Sequence, residues 1–228
     1  MTRTIGQIGP DGKKDELRRD DYFPTLVYSA MMHDAEDLNA EILAAIHAEQ
    51  ERDEKGIERS NFRSLGGWHS HNNLHKDKAF DRLTQRIHRL AAGMSENMGY
   101  DNKRQLEITT MWSISNPPLA SNRTHIHPGA LWSGVYYVQA PEGAGSLELN
   151  DPRTVNLMSY ATFLPNTKRK TECWTKVKIK PQAGKLLFFP AWLYHGIDPN
   201  LAKGEGRDAE RVVIAFNINQ RMKPKPKS

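Results

Sequence analysis

Hydrophobic positions along the chain change their period once, near residue 100. Before it, Leu38, Ile42, Ala45 and Ile46 recur at helical spacing, and Phe80, Leu83, Ile87, Leu90, Met94 and Met98 do so again over a longer stretch. Asp34 stands where a cap would start a helix over about residues 34–52. Asp77 does the same for a second over about 77–98, with Gly99 placed to stop it. From Gln105 onward the period is two. Strands are predicted at 105–115, 124–127, 131–139, 146–149, 175–179, 185–189 and 211–219, with proline- and glycine-bearing turns between them, such as Asn116-Pro117-Pro118 and Lys203-Gly204-Glu205-Gly206. Ahead of both helices, residues 22–29 form a short aromatic and β-branched run that Pro24 confines to a sheet edge.

Two helices followed by seven or eight short strands predict an α+β domain: a jelly-roll or cupin-like barrel over about 105–219, braced by the N-terminal helices. No linker-like break in composition falls within 22–220, so this stretch is expected to be one domain. Residues 1–21, charged and glycine-bearing, are expected to be a flexible arm. Residues 221–228, where lysine and proline alternate, are expected to be a basic tail that cannot build a core.

Composition narrows the class further. With 26% charged residues and a mean hydropathy of −0.69, the chain has the profile of a soluble globular protein. Its longest apolar stretch, 185–196, contains Pro190 and is far shorter than the roughly 20 residues a bilayer requires. No basic leader precedes an apolar run, so secretion is not expected. The single cysteine, Cys173, excludes an intramolecular disulfide and a cysteine-cluster zinc site, and a reducing, cytoplasmic compartment is the expectation. The net charge of +5 comes in large part from the tail, so neither nucleic acid nor membrane is an expected partner. A homo-oligomer remains open.

The chemistry sits among the histidines. His125 and His127 form an H-x-H pair in a strand-like segment. Strand alternation would point both imidazoles to one face, about 7 Å apart at the backbone. That suits two ligands of one metal, and it equally suits two polar residues on a wet face. His195 ends the aromatic run Phe188-Phe189-Pro190-Ala191-Trp192-Leu193-Tyr194. It is either a core histidine bonded to a carbonyl or a third ligand. Arg211 heads a strand on which Val212, Ile214, Phe216 and Ile218 form a core face, while Arg211, Val213, Ala215, Asn217 and Asn219 share the other. That second face fits a pocket for a carboxylate, which arginine binds bidentately. A rim arginine in an ion pair is the alternative. A second H-x-H, His69-Ser70-His71, follows Trp68 in a glycine-rich approach to a helix. Trp68, His69 and His71 are assigned to the substrate side, with a solvated loop as the alternative.

From Trp112 to Ile218 the chain resembles the iron(II)/2-oxoglutarate-dependent oxygenases, in particular a little-characterised bacterial and phage branch. The resemblance rests on His125-Ile126-His127-Pro128-Gly129 through Val138, Asp151-Pro152-Arg153, the Phe189–His195 segment and Arg211–Asn217, with Ser60-Asn61 and Gly67-Trp68-His69-Ser70 upstream. It implies a double-stranded β-helix holding Fe(II) and 2-oxoglutarate. His125 would be the first metal ligand, His195 the distal one, and Arg211 the anchor for the remote carboxylate of 2-oxoglutarate. His127 falls where such enzymes usually carry a carboxylate. The third ligand is therefore read as His127, with Asp151 or water as alternatives. Tyr136 and Asn217 are taken as further cosubstrate contacts.

The resemblance implies a dioxygenase that hydroxylates an unidentified second substrate with release of succinate and CO2, with 2-oxoglutarate and O2 as cosubstrates. Two other classes compete: a three-histidine cupin-type dioxygenase that does not use 2-oxoglutarate, and a catalytically silent β-barrel binding module. No catalytic residue beyond the metal site is expected, since hydrogen abstraction requires no general acid or base.

Overall fold

The computed structural model describes residues 2–8, 14–20, 22–153, 162–165 and 170–223, the first two segments as backbone. In chain order its regular elements are β1 (Thr2–Ile8), β2 (Lys14–Asp20), β3 (Tyr28–Met31), α1 (Ala35–Arg52), α2 (Lys55–Arg59), β4 (Trp68–His69), α3 (Asp81–Asn97), β5 (Arg104–Asn116), β6 (Asn122–His125), β7 (Trp132–Gln139), β8 (Leu147–Asn150), β9 (Lys176–Ile179), β10 (Lys185–Pro190), β11 (His195–Ile197) and β12 (Arg211–Met222). Six strands pair in the order β3-β10-β7-β12-β5-β4, and four in the order β6-β11-β8-β9. The ladders within both sheets are antiparallel.

Alternation along three adjacent strands of the larger sheet builds two cores at once. Tyr136 and Val138 of β7, Leu186 and Phe188 of β10, and Val212, Ile214, Phe216 and Ile218 of β12 pack with Leu38, Ile42 and Ile46 of α1 and Leu83, Ile87 and Met94 of α3. The intervening Val135, Tyr137, Leu187, Phe189 and Val213 pack instead with Leu147 and Leu149 of the smaller sheet. Central strands buried on both faces read as nearly continuous apolar runs, and β7 and β10 do so. The chain is thus layered as helices, large sheet, small sheet, with the expected helical stripes on the outer layer. Packing within the large sheet is close where Phe216 crosses Gly134. A Cβ built on that glycine would lie 2.2 Å from the phenyl ring, so only glycine admits the contact.

Both helices stand close to their predicted limits. Asp77 caps a short 3-10 turn, accepting from the Ala79 N–H, and α3 begins after it at Asp81. Gly99, at φ +67°, turns the chain past the end of α3.

Several expectations are corrected. The edge strand is β3, at 28–31 rather than 22–29, because Pro24 offers no ladder N–H and Phe23 has a φ of +57°. Within the expected arm 1–21, β1 and β2 pair with each other as an antiparallel ladder. β12 runs to Met222, so the first two residues of the expected tail pair with Gln105 and Arg104, while 224–228 lie outside the described residues. β4 and β11, of two and three residues, are too short to show a period. Among the described residues no helix is long and apolar enough to cross a membrane.

Candidate metal centre

His125 ends β6 and His195 begins β11, and the two are paired directly across that antiparallel ladder. Their ring centroids lie 4.4 Å apart. Each ring uses Nδ1 in the same way: His125 bonds the Arg123 carbonyl at 2.7 Å, and His195 bonds the Leu193 carbonyl at 2.8 Å. A carbonyl only accepts, so both Nδ1 atoms carry the proton and both Nε2 lone pairs face outward from that bond.

His127 arrives differently. β6 stops at His125, so His127 is not presented by strand alternation as expected. Its backbone N–H donates to the Ala191 carbonyl at 2.9 Å, which ties the segment after β6 to the segment before β11. The ring then lies 5.1 Å from each of the other two centroids. The donor atoms of His125, His127 and His195 all fall within 4.8 Å of one another, the only such group of three among the described residues. Burial pushes His127 and His195 down to about 4, and the neighbouring His125 ring adds to the effect on both. At neutral pH these two imidazoles are therefore uncharged, the form that binds a metal.

The histidines open on a cavity of about 50 Å³ between the two sheets, floored by Val213 and Ala215 of β12 and walled by Trp112, Ile114, Leu147 and Ile197. One step further along the same face of β12 lies Arg211, 1% exposed. Its Nη1 donates to the carbonyls of Ala144 and Asp198, but Nε and Nη2 have no hydrogen-bond partner among the described residues. The hydroxyl of Tyr137, on the neighbouring strand β7, is likewise buried and without a partner there. Burial pulls the guanidinium down to about 10 and pushes the phenol up to about 12, while each stabilises the charged form of the other. Buried donors left unsatisfied cost about 1–3 kcal/mol each, more when charged, so this pair, which lies beside Val213 just beyond the cavity's lining, suits an anion.

Other predicted site residues fall elsewhere. Tyr136 is corrected: alternation on β7 turns it to the helical side, where its hydroxyl donates to Asn39 Oδ1 at 2.6 Å. Tyr137 is the tyrosine beside Arg211. Asn217 bonds the Ser133 and Thr110 hydroxyls and lies on the His127 side of β12, away from the guanidinium. Asp151 is bonded by the Arg153 guanidinium through two contacts of 2.9 Å and is not part of the donor group. Trp68 is corrected to a core residue, buried over Gly56 with its indole N–H on the Asp53 carbonyl. His71 is half-exposed near Glu49, away from the cavity. His69 stands one ring removed from the centre, stacked on Trp112, which stacks on His127. The bonds from Ala144 and Asp198 to Arg211 carry no sequence signal, because any residue could supply those carbonyls.

Residues 110–217 match the family described as "Putative 2OG-Fe(II) oxygenase". No curated protein matches the chain. Among solved structures, a Pseudomonas putida prolyl-4-hydroxylase is 17% identical with a TM-score of 0.54, covering 86% of this chain and 94% of its own. HygX from Streptomyces hygroscopicus, solved with nickel, 2-oxoglutarate and hygromycin B, is 14% identical with a TM-score of 0.53, covering 85% and 82%. The non-heme alpha-ketoglutarate-dependent carbocyclase SnoK from nogalamycin biosynthesis is 12% identical with a TM-score of 0.59, covering 89% and 84%. At these identities the likeness is one of fold.

Proposed function

We propose that the chain is a 2-oxoglutarate-dependent oxygenase with iron(II) as its metal, in which His125, His127 and His195 hold the iron while Arg211 and Tyr137 hold the remote carboxylate of 2-oxoglutarate; the match of residues 110–217 to the 2OG-Fe(II) oxygenase family supports this reading. The observation that carries this reading is a polarity along the Arg211–Ala215 face of β12. Three convergent imidazoles lie at one end and two unpartnered guanidinium nitrogens at the other. Arg211 and Ala215 are four residues apart on one strand face, about 13 Å of backbone. An arginine side chain and a five-carbon diacid together fill such a gap. The two antiparallel sheets are read as the two halves of a double-stranded β-helix, in which β12 connects both ends of the site.

When bound, iron(II) with 2-oxoglutarate supplies oxygen activation coupled to release of succinate and CO2, and with it oxidation of a C–H bond in a second substrate. The chain's own groups set the conditions. Three neutral histidines leave the metal's double positive charge uncompensated, so the site attracts a dianion more strongly than one carrying a carboxylate ligand would. Arg211 orients that dianion by its far end, and a partner for its buried charge removes the desolvation cost of the empty guanidinium. Trp112, Ile114, Leu147 and Val213 keep the walls apolar, which excludes water from the reacting end.

The test is succinate formation and O2 uptake by the iron-loaded protein, with and without 2-oxoglutarate. Succinate produced only when iron, 2-oxoglutarate and O2 are all present supports the reading. The three-histidine donor set also favours a cupin-type dioxygenase that needs no 2-oxoglutarate; O2 uptake on a substrate in the absence of 2-oxoglutarate would select that second reading.

A further inference from the structure

We propose that β1 of a second copy of this chain adds as a strand to the open edge of β5, in the groove between that edge and α3. The proposal is independent of the metal centre and joins two parts of the fold that lack strand partners. β12 pairs along one side of β5, whereas β4 covers only Ser115 and Ile114 on the other. The Lys223 N–H donates to the Lys103 carbonyl at 2.9 Å, so that carbonyl faces β12. Alternation gives the backbone groups of Gln105 and Glu107 the same direction and turns those of Arg104, Leu106 and Ile108 the other way. Accordingly, the Ile108 N–H donates to His88 Nε2 on α3 at 3.4 Å, and the Arg104 N–H closes a turn on the Asp101 carbonyl at 3.0 Å. The Leu106 N–H and the carbonyls of Arg104, Leu106 and Ile108 meet no strand among the described residues.

Beside this edge lies a cavity of about 460 Å³, whose other wall is one stripe of α3: His88, Ala92, Ser95 and Glu96. The small Ala92 and Ser95 keep the middle of the groove wide. A sheet edge exposed in this way takes up an extended segment as an added strand, through main-chain hydrogen bonds. The other open edges are poorer templates. β3, β4 and β6 have four residues or fewer, and β9 carries Lys176 and Lys178, which discourage pairing.

The occupant is the other unpartnered part of the fold. β1 and β2 pair with each other and with no third strand among the described residues, and a two-stranded ladder alone is marginal in water. β2 is charged at six of its seven positions, which blunts its free edge, whereas β1 carries only Arg3. The groove suits a strand with so little charge. Glu96 and Glu107 offset Arg104 and Lys223 along it, and burial lowers His88 below its ordinary value, so that ring is neutral. The geometry favours exchange between copies over docking within one. The arm leads into β3, which β10, β7 and β12 separate from β5, and the connecting residues are exposed, Phe23 to 88%, so they are not laid across the sheet. Two copies that exchange arms satisfy both edges under one two-fold axis.

The test uses the full-length chain, without metal, in sedimentation and in amide hydrogen exchange read by NMR. At NMR concentration the wild type should sediment at about twice the 26.0 kDa of one chain. Its Leu106 amide should exchange as slowly as those of Gln105 and Glu107, which face β12. Ile5→Pro breaks β1, and Ala92→Arg fills the groove from an exposed helix position. Each should halve the mass and speed exchange at Leu106 about 10–100-fold, while Gln105 and Glu107 stay slow and report an intact sheet. The decisive sample mixes 15N-labelled Ile5→Pro with unlabelled Ala92→Arg. Only an arm from the other chain can then return protection to Leu106 of the labelled chain, and a partial recovery is expected. A wild-type monomer with Leu106 protected, or a mixture without recovery, assigns the groove to the chain's own arm and overturns the proposal. A fast Leu106 amide in the wild type leaves the edge open and overturns it as well. A dimer that neither variant dissociates is held by another surface, which has the same consequence.

Discussion

His125 and His195 face each other across one antiparallel rung, and each donates its Nδ1–H to the carbonyl two residues before it. The same local device on two strands thus sets the same tautomer twice, and the pairing brings both rings into one donor group. Removing either ring should abolish the metal site and spare the fold. His195→Ala is expected to lose iron binding while its unfolding midpoint moves little, because a single buried ring is lost. Anaerobic iron stoichiometry measures this. One iron per chain at wild-type affinity would make His195 a core residue.

The third ligand is decided by two alanine variants assayed together for bound iron. His127→Ala should lose most of the metal, and Asp151→Ala should keep it, because the Asp151 carboxylate is held by Arg153 outside the donor group. The reverse result transfers the ligand to Asp151. His127→Asp should retain iron with altered reactivity, since a carboxylate needs no tautomer.

Arg211→Met tests the proposed carboxylate anchor. A charge-assisted hydrogen bond contributes about 1.5–3 kcal/mol, so the apparent affinity for 2-oxoglutarate should fall about ten- to a hundredfold with iron affinity nearly unchanged. The ligand-free protein should be no less stable than wild type, because a buried charge with two unpartnered nitrogens is replaced by an apolar chain. Thermal melts with and without 2-oxoglutarate check both parts. A clear loss of stability in the ligand-free variant would show the guanidinium to be a structural strut.

Stability of the metal-free protein should depend on pH through the same histidines. Folding lowers His127 and His195 from the ordinary 6.5 to about 4, chiefly by burial. Between those values the unfolded chain binds protons that the folded chain refuses, so stability is complete above 6.5 and falls as pH drops toward 4. Urea midpoints between about pH 7.5 and about pH 4.5 should decline, and the decline should be shallower in a variant lacking either ring. A flat profile would contradict the burial of these groups.

Gly134→Ala should destabilise the fold by about 1–3 kcal/mol through overpacking. The new Cβ would lie 2.2 Å from the Phe216 ring and 2.7 Å from the Leu187 carbonyl oxygen. Adding Phe216→Leu should recover part of the loss, since the side chain can be trimmed and the carbonyl cannot. Urea unfolding of the single and double variants measures the pair, and an unchanged midpoint in Gly134→Ala would mean that the sheet yields.

The change from period 3.6 to period 2 near residue 100 was enough to locate α1, α3 and the longer strands of both sheets, because each of those elements buries one side and its pattern records which. The same alternation identified the inward face of β12 from Arg211 through Asn217. The family resemblance added roles for His125, His195 and Arg211, residues whose chemistry is rare enough to be visible in a line of text. Tertiary structure decided what depends on neighbours distant in sequence. Alternation on β7 and a hydrogen bond to Asn39 turned Tyr136 to the helices and left Tyr137 beside Arg211. A backbone bond to Ala191 brought His127 to the centre from beyond its strand. Trp68 became core because Gly56 has no side chain to keep it out. A residue's type and period are properties of the chain, whereas the partner of a hydrogen bond or the covering of a ring belongs to another segment, and only folding selects it.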